Sequence, residues 1–170
     1  MSKQLSFEEY QPSIHNKEIY LFADGIRLIE NVAGLFRLAD AMGVVKIFLS
    51  ASKNAYNTSR LKKISRSTTD WVSAVWGISF EETLQHLPKN TSVLALEYTK
   101  ESYPVAQLSE DLRDFPLVLI LGSEVRGISK TVLNQADEQI YLPMYGKNSS
   151  MNVTMAAAMA LYELTRETQK

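Results

Sequence analysis

The run Leu117-Val118-Leu119-Ile120-Leu121, closed by Gly122, constrains this chain more than any other feature. Five consecutive apolar residues cannot alternate between core and solvent, so a strand built from them is covered on both faces. Such a strand belongs to a parallel sheet with helices above and below it. Residues 18–23, 44–49, 92–96 and 139–142 read as further strands, and 71–76 as a short alternating one. Helical stretches separate them. Residues 31–42 are capped by Asn31, apolar at Leu35, Leu38 and Met42, and stopped by Gly43. Residues 58–65, 80–87 (stopped by Pro88), 129–135 and 151–165 also read as helices. The expected fold is α/β, a mostly parallel sheet flanked by helices. No linker or repeat divides residues 1–170, which read as one domain with residues 1–17 as a short, loosely docked N-terminal arm.

Composition removes several kinds of chemistry. The 170 residues include no cysteine, so disulfides, thiolate metal sites and cysteine nucleophiles are excluded. No apolar run approaches the roughly 18 residues that span a bilayer. The start, Met1-Ser2-Lys3-Gln4-Leu5-Ser6-Phe7-Glu8-Glu9, is too polar for a signal peptide, which points to the cytoplasm. His15 and His86 share no motif and read as surface residues, so no metal is expected. The net charge of −1 argues against indiscriminate nucleic-acid binding. Charge is nevertheless uneven: from Ala41 to Thr69 there is no acidic residue. Lys53, Arg60, Lys62, Lys63 and Arg66 stand in that stretch around Tyr56. The stretch is either a solvated helical face or a phosphate-tracking patch.

Three blocks carry the candidate chemistry. The first is Asn31-Val32-Ala33-Gly34-Leu35-Phe36-Arg37. Arg37 should lean back over the small Ala33 and Gly34, which leave room beside it. The second is Gly122-Ser123-Glu124 at the end of the central strand, a ligand-binding corner in parallel sheets. It is not a phosphate-binding Walker loop, since no Gly-Lys-Ser/Thr follows. The third is Ser149-Ser150-Met151-Asn152-Val153-Thr154 running into Ala156-Ala157-Ala158. There a polar turn can cap the last helix, and small residues admit a neighbouring backbone.

In this order and over residues 19–163, the three blocks resemble the motifs of the SpoU (TrmH-like) RNA methyltransferases of the SPOUT superfamily. The resemblance implies a C-terminal deep trefoil knot holding S-adenosylmethionine. It implies transfer of the donor's methyl group to a ribose 2′-hydroxyl of a structured RNA, tRNA or rRNA, without a metal. Arg37, Asn31, Glu124, Ser150 and Asn152 would be catalytic, with Glu124 pairing with Arg37 or Asn31. Leu96, Gly122, Ile140, Leu142, Ser150 and Met151 would bind the cofactor, and Lys53, Arg60, Lys62, Lys63 and Arg66 the RNA. A homodimer would form through the first-motif helix and the final helix. Met151 stands where Leu is commoner, and Asp70 and Trp71 stand where many relatives carry small residues and glycine. The alternatives are a nucleobase methyltransferase of the same fold and a noncatalytic RNA-binding or assembly factor.

Overall fold

A computed structural model gives the architecture, and it describes residues 9, 11, 13, 15–114 and 116–166. Seven strands form one sheet in the order β3-β2-β1-β6-β4-β7-β5, and every pairing is parallel. The strands are β1 (Ile19–Asp24), β2 (Lys46–Leu49), β3 (Ala74–Trp76), β4 (Ser92–Leu96), β5 (Tyr103–Pro104), β6 (Leu117–Gly122) and β7 (Glu138–Tyr141). The helices are α1 (Ile29–Ala41), α2 (Thr58–Ile64), α3 (Phe80–Leu84), α4 (Glu110–Asp114), α5 (Lys130–Leu133) and α6 (Val153–Thr165). Among the described residues no helix is long and apolar enough to cross a membrane.

Alternation along the central strands builds two cores. Ile19, Leu21 and Ala23 of β1 and Leu117, Leu119 and Leu121 of β6 point to the face covered by α1 and α6. Tyr20, Phe22, Val118 and Ile120 point the other way, where Phe80, Ile128 and Val132 meet them. Phe22 and Phe80 cross edge to face there, with centroids 4.9 Å apart. The continuous apolar run of β6 is thus used on both sides, as its sequence requires.

Several boundaries differ from the sequence expectation. The first helix begins at Ile29 behind Leu28, which offers no side-chain cap, and Asn31 lies buried in its first turn. Asn31 serves other partners, described below. Helix α3 ends at Leu84, short of Leu87, although a capping box of Ser79 and Glu82 opens it. Strand β5 is two residues long and contains a proline, so no run marked it; it pairs only at the sheet edge, where Pro is tolerated. Most of the expected N-terminal arm lies outside the described residues. Its end is fastened rather than loose. His15 Nε2 donates to the Met42 carbonyl at 2.7 Å, and Lys17 Nζ donates to the Leu164 carbonyl at 3.1 Å. His15 therefore caps the end of α1 instead of being a bare surface residue. His86 is exposed, with its ring stacked on Phe48.

A candidate ligand cavity and its polar rim

Because all strands run the same way, the ends of neighbouring β6, β4 and β7 open onto one edge of the sheet. A cavity of about 450 Å³ lies there. Leu96 closes β4 onto it, Leu121 and Gly122 close β6, and Tyr141 and Leu142 close β7. The turn before α6 supplies Ser150, Met151 and Asn152. Of the residues expected to bind a cofactor, Leu96, Gly122, Leu142, Ser150 and Met151 line this cavity. Ile140 does not: its side chain is fully buried in the core. Its carbonyl instead accepts from Glu97 N–H at 3.0 Å.

Gly122 is needed for a reason internal to the fold. A Cβ there would strike the Gly127 carbonyl carbon and Ile128 N of the corner that follows the strand. Ser123 and Gly127 close this corner by pairing N–H to C=O in both directions, at 3.1 and 2.9 Å. Gly127 has φ +64°, and a side chain on it would collide with the Glu97 carboxylate. Glu97 accepts from Ile128 N–H at 2.9 Å and Tyr98 N–H at 3.2 Å, tying the corner to the end of β4. Glu97 also lines the cavity, and sequence reading missed it. The signal was an acid directly after an apolar strand, as Glu124 follows β6 two residues on.

Polar side chains from three segments meet at the cavity rim. Asn152 caps α6, its Oδ1 accepting from Thr154 N–H at 2.9 Å and Met155 N–H at 3.3 Å. Its amide donates to Asn31 Oδ1 at 2.8 Å. The Asn31 amide in turn donates to the Glu124 carboxylate. Glu124 thus pairs with Asn31 and not with Arg37. The Asn31 side chain is engaged by this chain, which explains why it does not cap its own helix. Ser150 is exposed on the cavity wall, without a hydrogen bond to any described residue.

Arg37 is exposed on α1 and makes no hydrogen bond or ion pair with a described residue. The space at Gly34 does not serve it. A Cβ on Gly34 would sit 2.8 Å from Thr154 Cγ2, so the glycine lets α6 approach α1.

The basic stretch is smaller than its sequence suggests. Arg60 is held by Glu30 at 2.6 Å and Lys62 by Asp70 at 2.7 Å, acids from outside the stretch. Lys53, Lys63 and Arg66 are exposed and have no acidic partner among the described residues. Tyr56 is buried, and its hydroxyl donates to the Ile26 carbonyl at 2.5 Å, so it is a core residue. Burial pushes its phenol up, Arg27 opposes this, and Glu124 adds to it. Arg27, exposed on the loop after β1, is thus a further cation near the rim that sequence reading passed over. Among the described residues no cluster of His, Cys, Asp or Glu is arranged to hold a metal.

A parallel α/β sheet with its cavity outside the strand carboxyl ends defines a ligand-binding domain of the doubly covered class. Residues 18–162 match the sequence profile of the SpoU rRNA Methylase family, and the chain belongs to that family. Its relatives include a 23S rRNA (guanosine-2′-O-)-methyltransferase of Haemophilus influenzae, 27% identical over 168 residues; the match covers 98% of this chain and 68% of that protein. A tRNA (guanosine(18)-2′-O)-methyltransferase of Aquifex aeolicus is 26% identical over 156 residues, covering 91% of this chain and 72% of the relative. Among solved structures, the A. aeolicus TrmH/SpoU tRNA modifying enzyme superimposes with a TM-score of 0.74 at 28% identity, covering 89% of this chain and 75% of that one. The AdoMet-bound rRNA methyltransferase of Sinorhizobium meliloti shares the fold, with a TM-score of 0.76 at 20% identity, covering 92% of this chain and 61% of that one.

Proposed function

We propose that this protein is an S-adenosylmethionine-dependent RNA methyltransferase that modifies a ribose 2′-hydroxyl of tRNA or rRNA in the cytoplasm. The observation that carries this reading is the Glu124–Asn31–Asn152 hydrogen-bond chain on the rim of the cavity, with Arg37 on the same helix as Asn31. Family membership and the names of its relatives support it.

The cavity suits a nucleoside-bearing donor. Its volume of about 450 Å³ is within the range of small-molecule sites, and apolar Leu96, Leu142 and Met144 lie beside polar Glu97, Ser150 and Asn152. When bound, the donor supplies an electrophilic methyl carbon. That carbon would go to the ribose oxygen with S-adenosylhomocysteine as the leaving group, and the hydroxyl proton would pass to a water. Leu96, Leu142 and Met151 exclude water from one side of the site. Main-chain groups around Gly122 and Leu142 orient the donor. Glu124 and Asn152 hold the Asn31 amide from both ends, fixing its place in the first turn of α1. Arg37 stabilises the developing alkoxide and the neighbouring phosphate; a guanidinium is too weak an acid to be an efficient base at neutral pH. Lys53, Lys63 and Arg66 grip the RNA backbone, and Arg60 and Lys62 join them if RNA displaces Glu30 and Asp70.

Two further features complete the proposal. The C-terminal segment is threaded as a trefoil knot; insertion of β6 and β7 between earlier strands and the return of α6 onto α1 support this. The working unit is a homodimer; the exposed row Met155, Met159 and Tyr162 on α6 supports this. Labelled methyl transfer to RNA, followed by alkaline digestion, tests the activity. A 2′-O-methylated nucleotide resists cleavage on its 3′ side, whereas a base-methylated one does not.

A further inference from the structure

We propose that Trp71 is a stacking platform for a nucleobase of the RNA substrate, placed beside Arg37. The inference rests on the RNA reading above and adds a recognition residue to it. Trp71 is 60% exposed, although neighbouring Val72 already supplies the packing of this segment against the core. A large aromatic ring left mostly in water gains little from the fold. Its ring contacts no aromatic ring among the described residues, yet it is not loose. Its indole N–H donates to Asp40 Oδ1 at 2.7 Å. Asp40 lies three residues after Arg37 on α1, so the two side chains share one face of the helix. The indole is therefore anchored within about a helical turn of the proposed catalytic arginine.

The approach to Trp71 is strained and cationic. Arg66 and Ser67 both adopt left-handed backbone, φ +52° and +65°. Two successive non-glycine residues in that region are costly and need support from their surroundings. The support is present: Thr68 Oγ1 donates to the Ser65 carbonyl at 2.8 Å, Asp70 N–H donates to the Ser67 carbonyl at 2.8 Å, and Lys62 pairs with Asp70. The loop holds Arg66 exposed while setting Trp71 against Asp40. A cation with a tethered, exposed indole is the chemistry that binds a phosphate and stacks the adjoining base.

The experiment uses the full chain with Trp76 changed to Phe, so that Trp71 alone reports in fluorescence, and unfractionated tRNA and ribosomal RNA as probes. The free protein should show solvent-exposed emission that acrylamide quenches, and RNA should shift and protect it. Trp71→Ala should weaken RNA binding or raise its KM about tenfold or more, the scale of losing one base–aromatic stack. Trp71→Tyr should restore most of this, and affinity for S-adenosylhomocysteine should not change. Emission already shielded in the free protein would mean that a second copy covers Trp71, and would overturn the inference. So would RNA binding that leaves the emission and the Trp71→Ala affinity untouched. If the wild type binds neither RNA, the RNA reading itself falls and the inference with it.

Discussion

Asn31 and Arg37 share a helix but differ in what holds them. Asn31 is buried and joins Glu124 to Asn152, so replacing it disturbs three segments at once. Arg37 has no described partner to lose. Arg37→Ala should therefore leave the melting temperature and S-adenosylhomocysteine affinity unchanged by calorimetry. Methyl transfer should fall about 100-fold or more, the scale of removing a main electrostatic group. Arg37→Lys should also be poor, because lysine lacks the planar fork. The resemblance of residues 31–37 to the family's first motif singled out these two positions. Their partners were not legible, because a hydrogen bond between residues 121 apart in sequence leaves no local trace. The same blindness hid Glu30 and Asp70, which neutralise part of the basic stretch. Burial, reinforced by Glu18 and Glu138 respectively, pushes the Tyr20 and Tyr103 phenols from 10.0 up to about 12. The folded state holds these protons more tightly than the unfolded one, so the stabilisation is complete below pH 10.0 and is lost as pH rises toward about 12. Urea midpoints should fall over that window, and Tyr20→Phe should reduce the fall.

At the scale of elements, the contact between α1 and α6 decides whether the rim assembles. Gly34 is in mid-helix, where alanine would ordinarily gain up to about 1 kcal/mol from propensity. Here the added Cβ meets Thr154 at 2.8 Å, and overpacking typically costs about 1–3 kcal/mol. Gly34→Ala should therefore be destabilising in chemical denaturation, and adding Thr154→Ala should recover most of the loss. A double-mutant cycle with no coupling between the two positions would contradict this contact. Strands β1, β4 and β6 were legible because continuous apolar runs mark them, and α6 because a polar turn precedes it. The start of α1 was misplaced because a helix can begin without a side-chain cap, here behind Leu28. Strand β5 was invisible because two residues carry no period.

At the scale of the whole molecule, the alternation of elements announced a parallel sheet, but not its order. Placing β6 between β1 and β4, and β7 between β4 and β5, depends on contacts among residues far apart in the chain. Met155, Met159 and Tyr162 follow helical spacing on the outer side of α6 and are 63%, 50% and 67% exposed. Leu35, Phe36 and Leu161, which could have served an interface, are spent on the protein's own core. Light scattering should give twice the 19.2 kDa chain mass. Met159→Glu should shift the protein toward monomer without unfolding it, because that side chain does not support the core. The direct measurement is transfer of label from methyl-labelled S-adenosylmethionine to RNA from cells lacking this gene, with the product mapped after alkaline hydrolysis. The prediction is a labelled, alkali-resistant dinucleotide that is nearly abolished by Arg37→Ala. Label confined to a base, or no transfer to either tRNA or rRNA, would contradict it.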